Sequence, residues 1–152
     1  MKKGTVTVAV YGTLRKGQGN YERILKDNSR FLGTAYTGAP YRMFCVGFPV
    51  VMSGTEAEPG LPVEVELYEV SRKTLRRLDR LEGNGRMYQR SRRRFWLNSD
   101  DVSINQRAWI YLGKSFSPER MRKVTPTVYS RCSPMEVYVW PDVGHPYRKQ
   151  VA

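Results

Sequence analysis

The chain has 152 residues, with 26 Lys+Arg against 14 Asp+Glu for a formal net charge of +12, and 40% of its residues are hydrophobic. This length and composition suit one buried core and exclude a disordered chain, a fibrous repeat and a disulfide scaffold. No apolar run approaches the roughly 20 residues that cross a bilayer, and the stretch after Met1-Lys2-Lys3-Gly4 alternates, unlike a signal core. Cys45 and Cys132 lack CxxC spacing, which argues against a zinc site or redox pair and points to a reducing, cytoplasmic setting. The charge excess favours encounters with nucleic acid, another polyanion or an acidic small molecule. Nothing fixes an oligomeric state.

In chain order, Thr5 to Tyr11 alternates and is rich in Val, predicting a strand that breaks at Gly12 into a loop carrying Gly17 and Gly19. Tyr21, Ile24 and Leu25 are spaced for one face of a short helix that ends by Asp27-Asn28-Ser29. Phe31 to Thr37 reads as a second strand, Pro40 to Val51 as irregular extended chain punctuated by Gly47 and Pro49, and Ser53 to Pro62 as a turn-rich loop. Val63 to Val70 suits a strand buried on one side. Ser71 then caps a helix with Leu75, Leu78 and Leu81 on its apolar stripe, and Gly83 after Glu82 supplies the left-handed residue that stops it.

Met87 to Leu97 and Gln106 to Leu112 predict a hairpin through Asn98-Ser99-Asp100-Asp101. Beyond Gly113 the prolines at 118, 126, 134, 141 and 146 leave short pieces, of which Met135 to Trp140 is the best strand candidate. Residues 1–152 are expected to form one domain, with 113–152 an arm appended to it.

Two segments invite chemistry. VAVYGTLRKGQG is a strand running into glycines, whose backbone amides can approach an anion. It fails the phosphate-loop tests, because Gly17 is followed by Gln18-Gly19 and no G-x-G-x-x-G is present. LDRLEGNGRMYQR places Glu82 at a helix C-terminus, which is itself partly negative, so an unpartnered carboxylate there should have a raised pKa. Each segment alone also fits a glycine turn or a solvated acid. His145, the only histidine, sits in the proline-rich tail without triad partners.

In this order the segments resemble the γ-glutamylcyclotransferase superfamily, including its γ-glutamylamine cyclotransferase and AIG2-like members. The resemblance rests on Tyr11-Gly12-Thr13-Leu14-Arg15, Glu66-Leu67-Tyr68, Leu78-Asp79-Arg80-Leu81-Glu82-Gly83 and Tyr88-Gln89-Arg90, across roughly residues 5 to 112. It implies an α+β fold, a small mixed β-barrel with two short helices. It further implies that Tyr11, Gly12, Thr13, Leu14 and Arg15 hold a small γ-glutamyl substrate, that Glu82 is the catalytic acid/base, and that Tyr88 lines the site. The implied reaction releases 5-oxoproline and an amine without metal or cofactor. Tyr41 reads as core packing, and Asp79 as a helix-surface residue or a support for another side chain.

A competing reading uses Arg90-Ser91-Arg92-Arg93-Arg94-Phe95-Trp96, where period two aligns Arg90, Arg92, Arg94 and Trp96 on one strand face. That face could hold a nucleic-acid backbone, or it could be the solvated, aggregation-resistant side of a hairpin. A cyclotransferase-like fold acting as a non-catalytic binding module also remains open from the residues.

Overall fold

Val-rich alternation builds the first strand, β1 (Thr5–Val10), whose Val8 and Val10 face one side and Ala9 the other. In the computed structural model, residues 4–99, 102–129 and 135–141 are described; Asp100, Asp101, Cys132 and His145 lie outside them. Tyr21–Leu25 forms a single π-type turn closed by the Lys26 N–H donating to the Tyr21 carbonyl at 3.0 Å. Next come β2 (Ser29–Thr37), β3 (Tyr41–Cys45), β4 (Pro49–Ser53) and β5 (Glu64–Ser71).

The stretch expected to be irregular between Pro40 and Val51 is thus a regular hairpin, with β3 and β4 paired from Tyr41:Ser53 to Cys45:Pro49. Gly47 and Pro49 punctuate it as expected, but they mark its turn and strand start. Cys45 is a free thiol on β3.

Helix α1 (Arg72–Glu82) begins where the Thr74 N–H donates to the Ser71 Oγ at 3.1 Å. It ends where Gly83 adopts φ 58°, a conformation that costs a side-chain-bearing residue roughly 1 kcal/mol or more. Strands β6 (Tyr88–Ser99) and β7 (Val102–Gly113) make a hairpin longer than the sequence pattern indicates, because residues 102–105 continue the ladder opposite residues 96–99.

A 3-10 turn (Pro118–Arg120) leads into β8 (Arg122–Lys123), which pairs with β3. The short strands β9 (Thr127–Val128) and β10 (Glu136–Val137) pair with each other. Of the strand expected over Met135 to Trp140, only β10 and a bridge from Tyr138 to Val63 form. No helix among the described residues is long and apolar enough to cross a membrane.

The barrel closes in the order β1-β5-β2-β6-β7, antiparallel except where β1 meets β7 at Val8:Trp109. Its inward residues, among them Ala35, Val65, Leu67, Phe95 and Ile110, are at most 2% exposed, and Trp140 from the C-terminal segment packs into the same cluster. Tyr41 belongs to that core. A second apolar layer lies outside the barrel, where Leu75 and Leu78 of α1 and Ile24 and Leu25 of the π-type turn cover Val8, Val10 and Val70. Packing α1 against β1 in this way points its C-terminal end towards the end of β1, and that arrangement sets up the site.

Truncating Leu78, fully buried under α1, should cost about 2–5 kcal/mol in urea denaturation. Ser71→Ala, which removes only the cap, should cost about 1 kcal/mol with an unchanged denaturant slope. Equal losses from the two would mean that α1 is not held by this apolar seam.

Candidate active site

Strand β1 ends at Val10, and the chain turns just after Tyr11: the Arg15 N–H donates to the Gly12 carbonyl at 2.9 Å and the Tyr21 N–H to the Thr13 carbonyl at 3.3 Å. Gly12 is required here by packing, since a Cβ would meet Pro49 Cγ at 2.6 Å. Among the described residues, the N–H groups of Gly12, Thr13 and Leu14 donate to no protein acceptor. Asn20 steadies the loop by donating from Nδ2 to Thr13 Oγ1 at 2.8 Å.

This loop, the end of α1 and the start of β6 enclose a cavity of about 270 Å³. Tyr11, Gly12, Thr13, Leu14, Glu82 and Tyr88 all line it, so six of the seven predicted residues share one space. Arg15 does not. The turn at Gly12 carries its guanidinium to the outer face of β5, where Nε meets Glu66 at 2.8 Å and Nη2 meets Glu64 at 3.0 Å. The place expected for this side chain among the substrate-holding residues does not match that position; two acids far along the chain claim it. Glu66 also accepts from the Lys16 N–H and the Tyr68 hydroxyl, each at 2.8 Å, so one carboxylate ties two loop residues to the barrel wall.

Glu82 extends from the last turn of α1 into the cavity and has no hydrogen-bond or ion-pair partner among the described residues. Burial pushes its pKa up from the ordinary 4.5 to about 7. The surrounding tyrosines do not relieve it, because each hydroxyl donates elsewhere. Tyr11 donates to the Tyr111 carbonyl at 2.6 Å, Tyr88 to the Pro49 carbonyl at 3.0 Å, and Tyr111 to Asp79 at 2.7 Å. Burial and the neighbouring Glu82 raise the pKa of Tyr88, so it stays a neutral phenol.

Asp79 thus supports Tyr111, and it also pairs with Arg90 Nε at 3.0 Å. The remaining wall includes Phe48, Pro49, Leu81 and Met87, none of which the sequence pattern singled out. Among the described residues no group of three or more His, Cys, Asp or Glu is arranged to hold a metal ion.

Two stability measurements test this geometry. Arg15→Met leaves Glu64 and Glu66 buried together without their cation and should cost about 3–5 kcal/mol. Glu82→Gln should have the opposite sign. A carboxyl whose folded pKa is raised destabilises the fold above that pKa, so at pH 8 the variant gains about 1–3 kcal/mol. The gain should fade as the pH falls from 7 and be largely gone by 4.5, where folded Glu82 is protonated and the unfolded carboxyl is at its ordinary pKa. A gain that persists at pH 4.5 would rule out titration of Glu82 as its source.

Comparison with known proteins identifies the family. A family model described as gamma-glutamyl cyclotransferase, AIG2-like, matches residues 8–131. A Methanocaldococcus jannaschii protein provisionally named a γ-glutamylcyclotransferase is 40% identical over 112 residues, 74% of this chain and 84% of its own. A Bos taurus γ-glutamylaminecyclotransferase is 35% identical over 124 residues, 74% of this chain and 68% of its own. The crystal structure of a Mus musculus AIG2-like protein superposes with a TM-score of 0.65 at 27% identity, covering 76% of this chain and 81% of that one. With most of its length matched and its barrel shared, the chain belongs to the γ-glutamyl cyclotransferase, AIG2-like family.

Proposed function

We propose that the protein converts a γ-glutamyl amine to 5-oxoproline and the free amine, with Glu82 as the acid/base. The observation that carries this reading is the unpartnered Glu82 carboxylate in one cavity with the unpaired amides of Gly12, Thr13 and Leu14. An acid and a row of donors left unsatisfied by the protein are complementary to a ligand that brings an ammonium group and an anionic oxygen.

In the proposed step, the substrate's α-amine attacks its own γ-carbonyl. A lactam C–N bond forms, the original amide C–N bond breaks, and no water is consumed. The nucleophile and carbonyl belong to one molecule, so binding has only to select the folded-back conformer. An α-amine with a pKa of about 8 is mostly protonated at neutral pH. A carboxylate poised at about 7 is well matched to accept its proton and to return it to the departing nitrogen. The loop amides face the oxyanion that develops on the γ-carbonyl oxygen, or the α-carboxylate beside it. Tyr88 and Tyr111 act as walls, their protons already committed.

The cavity wall also bears on the leaving group. Phe48, Pro49, Leu81 and Met87 are apolar, and among the described residues no Lys or Arg lines the cavity. A leaving α-amino acid would bring a carboxylate beside the scissile nitrogen, near Glu82 and with no cation to pair it. An amine on a methylene chain brings none. Relatives from cattle, mouse, rat and zebrafish carry the name γ-glutamylaminecyclotransferase, which supports the same preference.

The deciding assay measures 5-oxoproline released from γ-glutamyl-butylamide, γ-glutamyl-ε-lysine and γ-glutamyl-alanine. Turnover should favour the two amines. Glu82→Gln should lower kcat by at least about 10², and log kcat/KM should rise with pH up to about 7 as Glu82 deprotonates. Undiminished release by Glu82→Gln would remove Glu82 from the mechanism, and no release from any of the three would sink the enzyme reading.

A further inference from the structure

On the outer face of the β6–β7 hairpin, successive cross-strand pairs run Arg92:Trp109, Arg94:Arg107 and Trp96:Asn105. Arg92, Arg94 and Arg107 are exposed, as is Arg93 on the opposite face, and none has a carboxylate partner among the described residues. Four other strand and loop cations, Arg15, Arg30, Arg90 and Lys123, each meet an acid. Like charges directly opposite in a ladder are destabilising, so Arg94:Arg107 is a standing cost unless an anion sits between them.

Charged residues do guard strand edges against aggregation, and β6 has such an edge, since β2 pairs with it only at residues 95–97. That purpose does not account for Trp96, which is 42% exposed within the same row of arginines. A large indole left in water next to unpaired guanidinium groups suits a ligand with both negative charges and flat apolar faces.

We propose that this hairpin face, centred on Arg92, Arg94, Arg107 and Trp96, binds single-stranded nucleic acid. The guanidinium groups take phosphates, and Trp96 takes an unstacked base. A duplex keeps its bases stacked and would offer Trp96 nothing, and an acidic peptide would supply charge without a stacking partner. The side chains of alternate residues on β6 recur about every 6.6 Å, so the row presents its charges and its ring along one line that an extended strand can follow. The proposal is independent of the cyclotransferase reading.

The test uses the full-length protein and an oligothymidylate of about 12 nucleotides, read by tryptophan fluorescence and by anisotropy of the labelled oligomer. Binding is expected to quench fluorescence and to weaken at least tenfold between about 50 and 200 mM salt. The triple variant Arg92→Gln/Arg94→Gln/Arg107→Gln should lose about tenfold or more in affinity, and Trp96→Ala about fivefold.

The control is a charge-matched triple on α1, Arg72→Gln/Lys73→Gln/Arg76→Gln, whose exposed cations have no tryptophan in their row. It should change affinity by no more than about twofold. Equal losses from the two triples would show bulk charge alone and overturn the proposal. So would an unchanged Trp96→Ala, or equally tight binding of a DNA duplex or of polyglutamate. Because the substituted side chains are all exposed, circular dichroism and the melting temperature should match the parent protein, which separates lost binding from lost fold.

Discussion

One carboxylate, Glu66, fixes the geometry on which the site depends. The loop after β1 contains three residues whose amides bond to no protein atom among the described residues, and such a loop would ordinarily sample many conformations. It is held at both ends instead. Arg15 and Lys16 are tied to Glu66 on β5, and Gly12 is pressed against Pro49 of β4. Since Glu66 is itself only 8% exposed and also accepts from Tyr68, its ion pair is poorly screened and competes well with water. The network extends through Glu64 to Tyr129 at 2.7 Å, and the Trp140 carbonyl accepts from Arg15 at 3.4 Å. The C-terminal segment is therefore bonded directly to the loop that follows β1, 125 residues away in sequence.

A different logic governs Glu82. A fold selected for stability alone would not bury an unpartnered carboxylate at the negative end of a helix. The cavity walls could have relieved it, because three tyrosine hydroxyls lie close by, yet each donates to a carbonyl or to Asp79. The result is a group that destabilises the free protein at neutral pH and is complementary to a cationic ligand. That trade of stability for reactivity is the physical content of the proposed acid/base role.

The sequence made some of this visible and hid the rest for identifiable reasons. Ser71 and Gly83 were legible because capping depends on a few adjacent residues, and Tyr11 to Leu14, Glu82 and Tyr88 because their order along the chain resembles a family. The β3–β4 hairpin was not, since a glycine and a proline within an apolar run read as breaks, and only pairing partners distinguish a turn from an interruption. The fate of Arg15 depends on Glu64 and Glu66, about 50 residues on, which no local pattern connects to it. Nothing in the sequence pattern singled out Phe48, Leu81, Met87 or Tyr111 for the site. They join the cavity only because barrel closure brings β4, α1, β6 and β7 to the end of β1.

A chain with a charge of +12 faces a particular difficulty in keeping a carboxylate's pKa high, because nearby cations would pull it down. Tyr111, which lines the cavity, sits directly across the ladder from Arg90, and Arg92 follows on the same face. The nearest of these guanidinium groups is neutralised: Arg90 pairs with Asp79 and stacks over Trp109 at 4.3 Å. Asp79 lies one helical turn before Glu82, so the same turn supplies the half-buried, cavity-lining acid and the acid that shields it from the arginine row. Burial alone then sets the pKa of Glu82, with no cation contributing. One hairpin face can therefore carry a strongly positive surface at one end and wall a cavity that holds a carboxylate of raised pKa at the other, divided by a single ion pair.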